Sequence, residues 1–145
     1  MKAVVQRVKH AKVEIDGRIA GKIDHGILVL LGIIDGDKEK IEWMAKKLVN
    51  LRIFPDSEGK MNRSVSDEGG GILIVSNFTL YGDVQKGTRP SFGRAAHPDI
   101  SEPIYDEMIK YMRENFDVNI ETGEFGAMME VSLVNDGPVT IIIEK

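Results

Sequence analysis

Ser76, Asn77, Phe78 and Thr79 follow directly on the apolar run Ile72-Leu73-Ile74-Val75, so two hydroxyls and an amide stand where a buried strand ends. Backbone N–H groups at such a position can donate to the oxyanion that develops when an ester or amide is attacked. Between Ser76 and Tyr81 there is no His, Lys or acid. Thr79 therefore either takes an activating base from elsewhere in the fold or acts as a positioning group. A second polar cluster, Asn135-Asp136-Gly137-Pro138-Val139-Thr140, reads as a turn between two strands. Residues 84–98 contain Lys86, Arg89, Arg94 and His97 and no acid, which suits either a solvated basic loop or contact with phosphates. Each feature alone is ordinary. Hydroxyls and amides at strand ends commonly bond to nearby backbone, and Phe125 and Met129 are by default core residues.

Other chemistries lack their residues. His10, His25 and His97 form no metal-ligand spacing, and no nucleophile elbow, phosphate-binding loop or dinucleotide fingerprint is present, so neither a metal nor a cofactor is expected. The absence of Cys excludes disulfides, thiolate metal sites and a cysteine nucleophile. A net charge of -4 argues against broad gripping of a nucleic-acid backbone, so a nucleic-acid partner has to be held locally. No run approaches the roughly 18 apolar residues of a membrane span, and the opening residues carry no export signal; the expected location is the cytoplasm.

The elements that must position these residues are mostly strands. Val4, Val5, Val8, Val13 and Ile15 fall in two short runs, with Asp16-Gly17 as a hairpin turn. The apolar run from Ile27 to Ile34 suits a buried central strand. Asp35-Gly36-Asp37 offers an N-cap to an amphipathic helix carrying Ile41, Met44, Ala45 and Leu48. Arg52-Ile53-Phe54-Pro55 reads as a strand stopped by Pro, followed by a polar loop over 56–66. A second helix is expected from Asp99-Ile100-Ser101-Glu102, with Pro103 in its first turn. Strand patterns return at 118–120, 129–134 and 139–143. Length and pattern fit a single α+β domain over 1–145, with a curved, largely antiparallel or mixed, barrel-like sheet and two main helices.

Read together, Ser76-Asn77-Phe78-Thr79-Leu80-Tyr81-Gly82-Asp83, Lys86-Gly87-Thr88-Arg89-Pro90-Ser91-Phe92, Gly123-Glu124-Phe125-Gly126-Ala127-Met128-Met129 and Asn135-Asp136-Gly137-Pro138-Val139-Thr140 resemble the D-aminoacyl-tRNA deacylase family. Ala3-Val4-Val5-Gln6-Arg7-Val8 and the strand from Gly26 to Gly32 extend the resemblance to nearly the whole chain. It implies a homodimer with its active site at the subunit interface, cleaving D-aminoacyl-tRNA and also glycyl-tRNA. Ser76, Asn77, Phe78 and Thr79 then line the reaction centre, and Phe125 and Met129 belong to the pocket for the terminal adenosine; the basic loop separately offers Lys86 and Arg89 as contacts to tRNA phosphates, with bracing of the loop as the other role open to Arg89. Gly137-Pro138 is implied to be a cis dipeptide that enters the partner's site and checks chirality. The chain departs from the family pattern at Asn77, where Gln is usual, and at Gly82, where Ala is usual; the first shortens the amide by one methylene and the second is expected to be harmless.

The reading of the mechanism that follows gives Thr79 and the backbone of Asn77 and Phe78 the task of positioning the ester, while the substrate's ribose 2′-OH orients or activates water. A non-catalytic binding domain for tRNA 3′ ends or a small metabolite is the alternative from a different class, and a freestanding editing module is a third.

Overall fold

The valines that suggest two short runs lie on one continuous strand, β1 (Lys2–Ile15), in the computed structural model, which describes all residues Met1–Lys145. Two irregularities, at Arg7 and next to Val8, bend it without ending it. Its first half pairs with β3 and its second half with β2. Asp16 and Gly17 both have positive φ, as the tight turn into β2 (Arg18–Ile23) requires. β3 (Gly26–Gly32) follows, antiparallel to β1.

Asp37 does not cap the first helix. It opens a short 3-10 turn, Asp37–Lys40, ahead of α1 (Ile41–Asn50), and is fully buried. Its Oδ1 accepts from the Met1 ammonium at 2.7 Å and from Lys40 Nζ at 2.8 Å, and its Oδ2 accepts from the Ile34 N–H at 2.8 Å. A buried ammonium needs a counter-charge more than a helix end needs a cap, which explains the reassignment. Burial holds the pKa of this ammonium below its ordinary value, and Asp37 offsets part of that effect.

The expected loop after Pro55 contains structure. Phe54–Pro55 (β4) pairs antiparallel with Met61–Arg63 (β5), and Asp56 closes the connection by accepting from the Glu58 and Lys60 N–H groups. β6 (Gly71–Ser76) then runs parallel to β3. The second helix, α2 (Pro98–Asn115), starts before the expected capping box: His97 is the N-cap, and Ser101 donates back to the His97 carbonyl. Pro98 takes the first helical position, where a missing N–H costs nothing. Pro103 therefore lies past the first turn, in the helix proper. β7 (Asn119–Thr122) adds to β6 in parallel, and β8 (Glu130–Glu144) pairs antiparallel with β1 along nearly its full length.

The sheet order is β2-β1-β3-β6-β7, with β8 on the other side of β1. Its two ends approach closely: a Cβ on Gly21 would lie 2.3 Å from the Thr122 carbonyl oxygen, so β2 nearly closes the sheet onto β7. This is the expected α+β arrangement of a mixed, barrel-like sheet with two helices. Both faces of the central strands are covered. Val5, Val29, Ile72 and Ile74 pack with α1 and α2, whereas Val8, Val13, Leu28, Leu73 and Val75 form a smaller cluster on the opposite face. That smaller cluster is rimmed by the half-exposed Leu30, Met129, Val131 and Leu133. No helix is long and apolar enough to cross a membrane.

Replacing Asp37 by Ala leaves the Met1 ammonium buried without its counter-charge. The expected loss is about 3–5 kcal/mol of unfolding free energy, read as a lower urea midpoint at unchanged slope. An unchanged midpoint would show that the ammonium is solvated rather than paired.

Candidate active site

β6 runs beside β3 as far as the Leu31–Ser76 pair. The ladder then ends, but its last carbonyls are still used: Asn77 N–H donates to the Leu31 oxygen at 2.8 Å, and Ala96 N–H donates to the Ile33 oxygen at 3.0 Å. The 76–79 turn and the residues leading into α2 are therefore fastened to carbonyls two residues apart, one in β3 and one just past its end, roughly 7 Å along an extended chain. Between them and the 125–131 segment lies a cavity of about 720 Å³. Leu30, Leu31, Ile33, Val75 and Val131 form its apolar wall; Ser76, Asn77 and Phe78 enter from one side, Phe125 and Met129 from another, and Phe92, Ala96, His97 and Ser101 complete it.

Asn77 organises the turn. As N-cap of the 3-10 turn Phe78–Tyr81, its Oδ1 accepts from Thr79 N–H at 3.1 Å and from the Thr79 hydroxyl at 2.5 Å. Thr79 itself is exposed and does not line the cavity. The Asn77 N–H is committed to the sheet, so it is not available to a ligand. Phe78 opens the turn, and its N–H has no place in the turn's internal bonding.

Phe125 is held from below by Tyr105, whose ring centroid lies 5.8 Å away. The buried Tyr105 hydroxyl donates to the Ile74 carbonyl at 2.8 Å, tying α2 to the strand that delivers Ser76, and burial drives its pKa upward. Tyr81, at the end of the 3-10 turn, is likewise buried and pushed up to about 12, first by burial and then by the charges of Asp37 and Glu144.

Gly137 and Pro138 are not where a strand-joining turn would put them. Asn135 pairs with Val8 and Thr140 with Gln6, so four residues of β8 bulge outward against Arg7 alone. The Gly137–Pro138 peptide is cis, as the resemblance implies. Asn135 closes the bulge, its Oδ1 accepting from Val139 N–H at 2.8 Å and its Nδ2 donating to the Val139 carbonyl at 3.1 Å. The Arg7 Nε donates to the Asp136 carbonyl at 2.9 Å and lies 3.4 Å from its carboxylate, while Nη1 donates to the Ile53 carbonyl at 2.5 Å. Gly137 has φ 148°, and a Cβ there would sit 2.7 Å from Val139. Both residues are exposed, and neither lines this chain's own cavity.

The cavity thus gathers Ser76, Asn77, Phe78, Phe125 and Met129, and leaves Thr79, Lys86, Arg89, Gly137 and Pro138 outside its lining. Sequence reading missed Arg7, Tyr105, Phe92 and the lining role of His97. Arg7 left a trace as a charged residue inside an apolar strand pattern, which demands a partner, while Phe92 and His97 stood in the quoted motif and the basic run without a role. Gly82 also proves to matter: a Cβ there would meet both Phe92 Cε1 and the Thr79 carbonyl oxygen at 3.0 Å, so glycine admits the Phe92 ring.

Asn77→Ala removes the acceptor for two Thr79 donors. A loss of about 1 kcal/mol in denaturant unfolding is expected. Stability equal to that of the native chain would mean that the cap carries no weight.

Residues 4–144 match the family model described as D-Tyr-tRNA(Tyr) deacylase. The chain is 55% identical over its whole length to the D-aminoacyl-tRNA deacylase of Thermosipho africanus (strain TCF52B), 97% of which is covered, and 54% identical to that of Brevibacillus brevis (strain 47 / JCM 6285 / NBRC 100599), covered completely. Among solved structures it superposes on the c-Myc DNA Unwinding Element Binding Protein with a TM-score of 0.93 at 42% identity, covering 100% of this chain and 99% of that one. A probable eukaryotic D-amino acid tRNA deacylase shares the fold alone, with a TM-score of 0.81 at 18% identity over 98% of this chain and 97% of that one. With residues 4–144 matched by the family model and its whole length by relatives above half identity, the chain belongs to the D-Tyr-tRNA(Tyr) deacylase family.

Proposed function

We propose that this protein hydrolyses the ester between a D-amino acid and the 3′-terminal ribose of tRNA, acting as a cytoplasmic homodimer that removes wrongly charged tRNA. The observation that carries this reading is the placement of a strand-end turn with a free leading N–H, at Phe78, on the wall of an apolar cavity whose other side holds Phe125 and Met129. Phe125 and Met129 take the terminal adenosine, and Phe78 N–H receives the oxyanion. Water adds to the ester carbonyl, the bond to the ribose 3′-oxygen breaks, and that oxygen takes up a proton. The products are the free D-amino acid and tRNA with its 3′-OH restored.

Thr79 serves as a positioning residue. Its hydroxyl is spent on an amide oxygen, which is no base, so nothing activates it for attack. The ribose 2′-OH orients the water. His97, as the one imidazole on the cavity wall, is the competing source of a base; it is exposed, with Nδ1 3.1 Å from the Asp99 carboxylate.

Dimerisation is supported by two features. The half-exposed Leu30, Met129, Val131 and Leu133 leave one sheet face incompletely covered beside the cavity. The 136–139 bulge is anchored by the buried Val139 and exposes Gly137 and Pro138, which have no role in their own subunit's cavity and can serve as a main-chain wedge in a partner's. Such a wedge rejects an L-substituent at the α-carbon by exclusion without reading the side chain, and it leaves glycyl-tRNA susceptible.

Incubation with D- and L-tyrosyl-tRNA tests the activity: rapid ester loss from the D-form alone is expected, and similar rates on both would defeat the wedge. Loss from neither would favour a binding domain. A terminal 2′-deoxyribose should slow turnover by roughly 10²–10⁴-fold, the usual scale of a lost proton-transfer partner. His97→Ala should cost far less, and Thr79→Ala should slow the enzyme without abolishing activity; an aminoacyl group trapped on Thr79 would overturn its positioning role. Lys86→Ala and Arg89→Ala should each weaken tRNA binding and lower the slope of log affinity against log salt by about one. A fall in thermal stability with an unchanged salt slope would make these side chains loop braces instead.

A further inference from the structure

The cavity mouth carries an aromatic pair that the proposed chemistry does not use. Phe78 and Phe92 both line the cavity yet remain 58% and 38% exposed, with ring centroids 5.1 Å apart in an edge-to-face arrangement. The backbone of Phe78 belongs to the reaction centre, but its phenyl ring points to solvent at the rim. Two large apolar rings left open at the entrance of a site signal a surface that something covers.

The local backbone holds Phe92 firmly. Asp83 and Ser91 form an isolated antiparallel bridge, with N–H···O distances of 2.8 and 2.9 Å, that closes the loop between them and sets Phe92 opposite Gly82. A side chain at Gly82 would press on the ring, so this glycine lets Phe92 settle against the turn. The loop closed by that bridge contains Lys86 and Arg89, both exposed and in no ion pair, and the run through residue 98 has no acid. Exposed aromatic faces at the foot of a basic loop, whose one acid is the Asp83 that closes it, are a combination that binds single-stranded nucleic acid: bases stack on the rings while cations follow the backbone.

We infer that the Phe78–Phe92 pair is the stacking platform for the base of the nucleotide preceding the terminal adenosine, so the protein grips a single-stranded end of at least two nucleotides. This inference rests on the deacylase reading, which sends the terminal adenosine inward to Phe125 and Met129. The next base then leaves the cavity at its rim, where the rings lie. Stacking on a π-face tolerates any base, so the subsite adds affinity and orientation without adding sequence preference.

The test compares kcat/KM for two small substrates, D-tyrosyl-adenosine and the D-tyrosyl ester of the dinucleotide cytidylyl-adenosine, with the full-length protein. Native protein should favour the dinucleotide. Phe92→Leu keeps apolar bulk but has no π-face, and should reduce that preference by roughly tenfold, within the range set by base–aromatic stacking. Phe92→Tyr restores the face and should restore the preference, which distinguishes stacking from simple packing. An unchanged preference in Phe92→Leu would overturn the platform. So would equal losses on both substrates accompanied by a smaller particle in light scattering, which would assign the rim to a subunit contact. If the native protein cleaves neither substrate but binds both, the deacylase reading fails first, and a Phe92→Leu loss of dinucleotide affinity measured by calorimetry would still uphold the platform.

Discussion

The edge of β3 governs this structure. Its carbonyls beyond the β6 ladder cannot stay unpaired in an apolar interior, because an orphaned acceptor there costs on the order of 1–3 kcal/mol. Leu31 takes Asn77 and Ile33 takes Ala96. Those two bonds force β6 to turn away at Ser76 and bring the start of α2 alongside, and the cavity is the space left between the two departures. The cavity is thus a consequence of how one strand edge finishes its hydrogen bonding.

The sheet's second face follows from the same economy of size. The helices cover one side of the central strands, and a chain this short has no further element for the other. What remains is a small buried cluster bordered by half-exposed Leu30, Met129, Val131 and Leu133. That border is continuous with the cavity wall. The outward bulge at 136–139 belongs to the same logic, because Arg7 spends its guanidinium on holding a loop that does nothing within its own subunit's pocket. Both features are accounted for by the proposed dimer, in which a second copy would supply the missing layer.

The chemistry is sparing in titratable groups. One imidazole lines the cavity, and the hydroxyl of Thr79 is engaged with an amide. A site of this kind works through backbone donors and substrate groups, whose positions are set by the fold rather than by side-chain acidity. This explains why Asn77 can stand where the family usually has Gln. Its short amide reaches back to Thr79 and shapes the turn, and in the proposed mechanism the donor to the substrate is the next backbone N–H.

Much of this was legible in the residues. Periodicity located both helices and most of the strand segments, though it split β1 and β8 and gave no span for β2, and the Asp16-Gly17 turn follows from the φ angles that a hairpin demands. The abrupt change from Val75 to Ser76 marked where the cavity wall turns polar, and the ordered motifs marked the family. The failures share one cause. The expected turn at 135–138 is instead a bulge of residues 136–139 within one strand, Asp37 pairs with the ammonium rather than capping α1, and the 56–66 segment contains a strand. Each depends on which distant group lies opposite, and local pattern carries no information about that. The sequence by itself determined which backbone segments are apolar enough to be buried and where polar groups interrupt them. Only the tertiary structure decided that Asn77 and Ala96 share the edge of β3, that Phe92 rests on Gly82, and that the Gly137–Pro138 bulge faces away from its own cavity. Those relations arise from long-range pairing, in which each buried donor or acceptor takes whatever partner the closed sheet brings within reach.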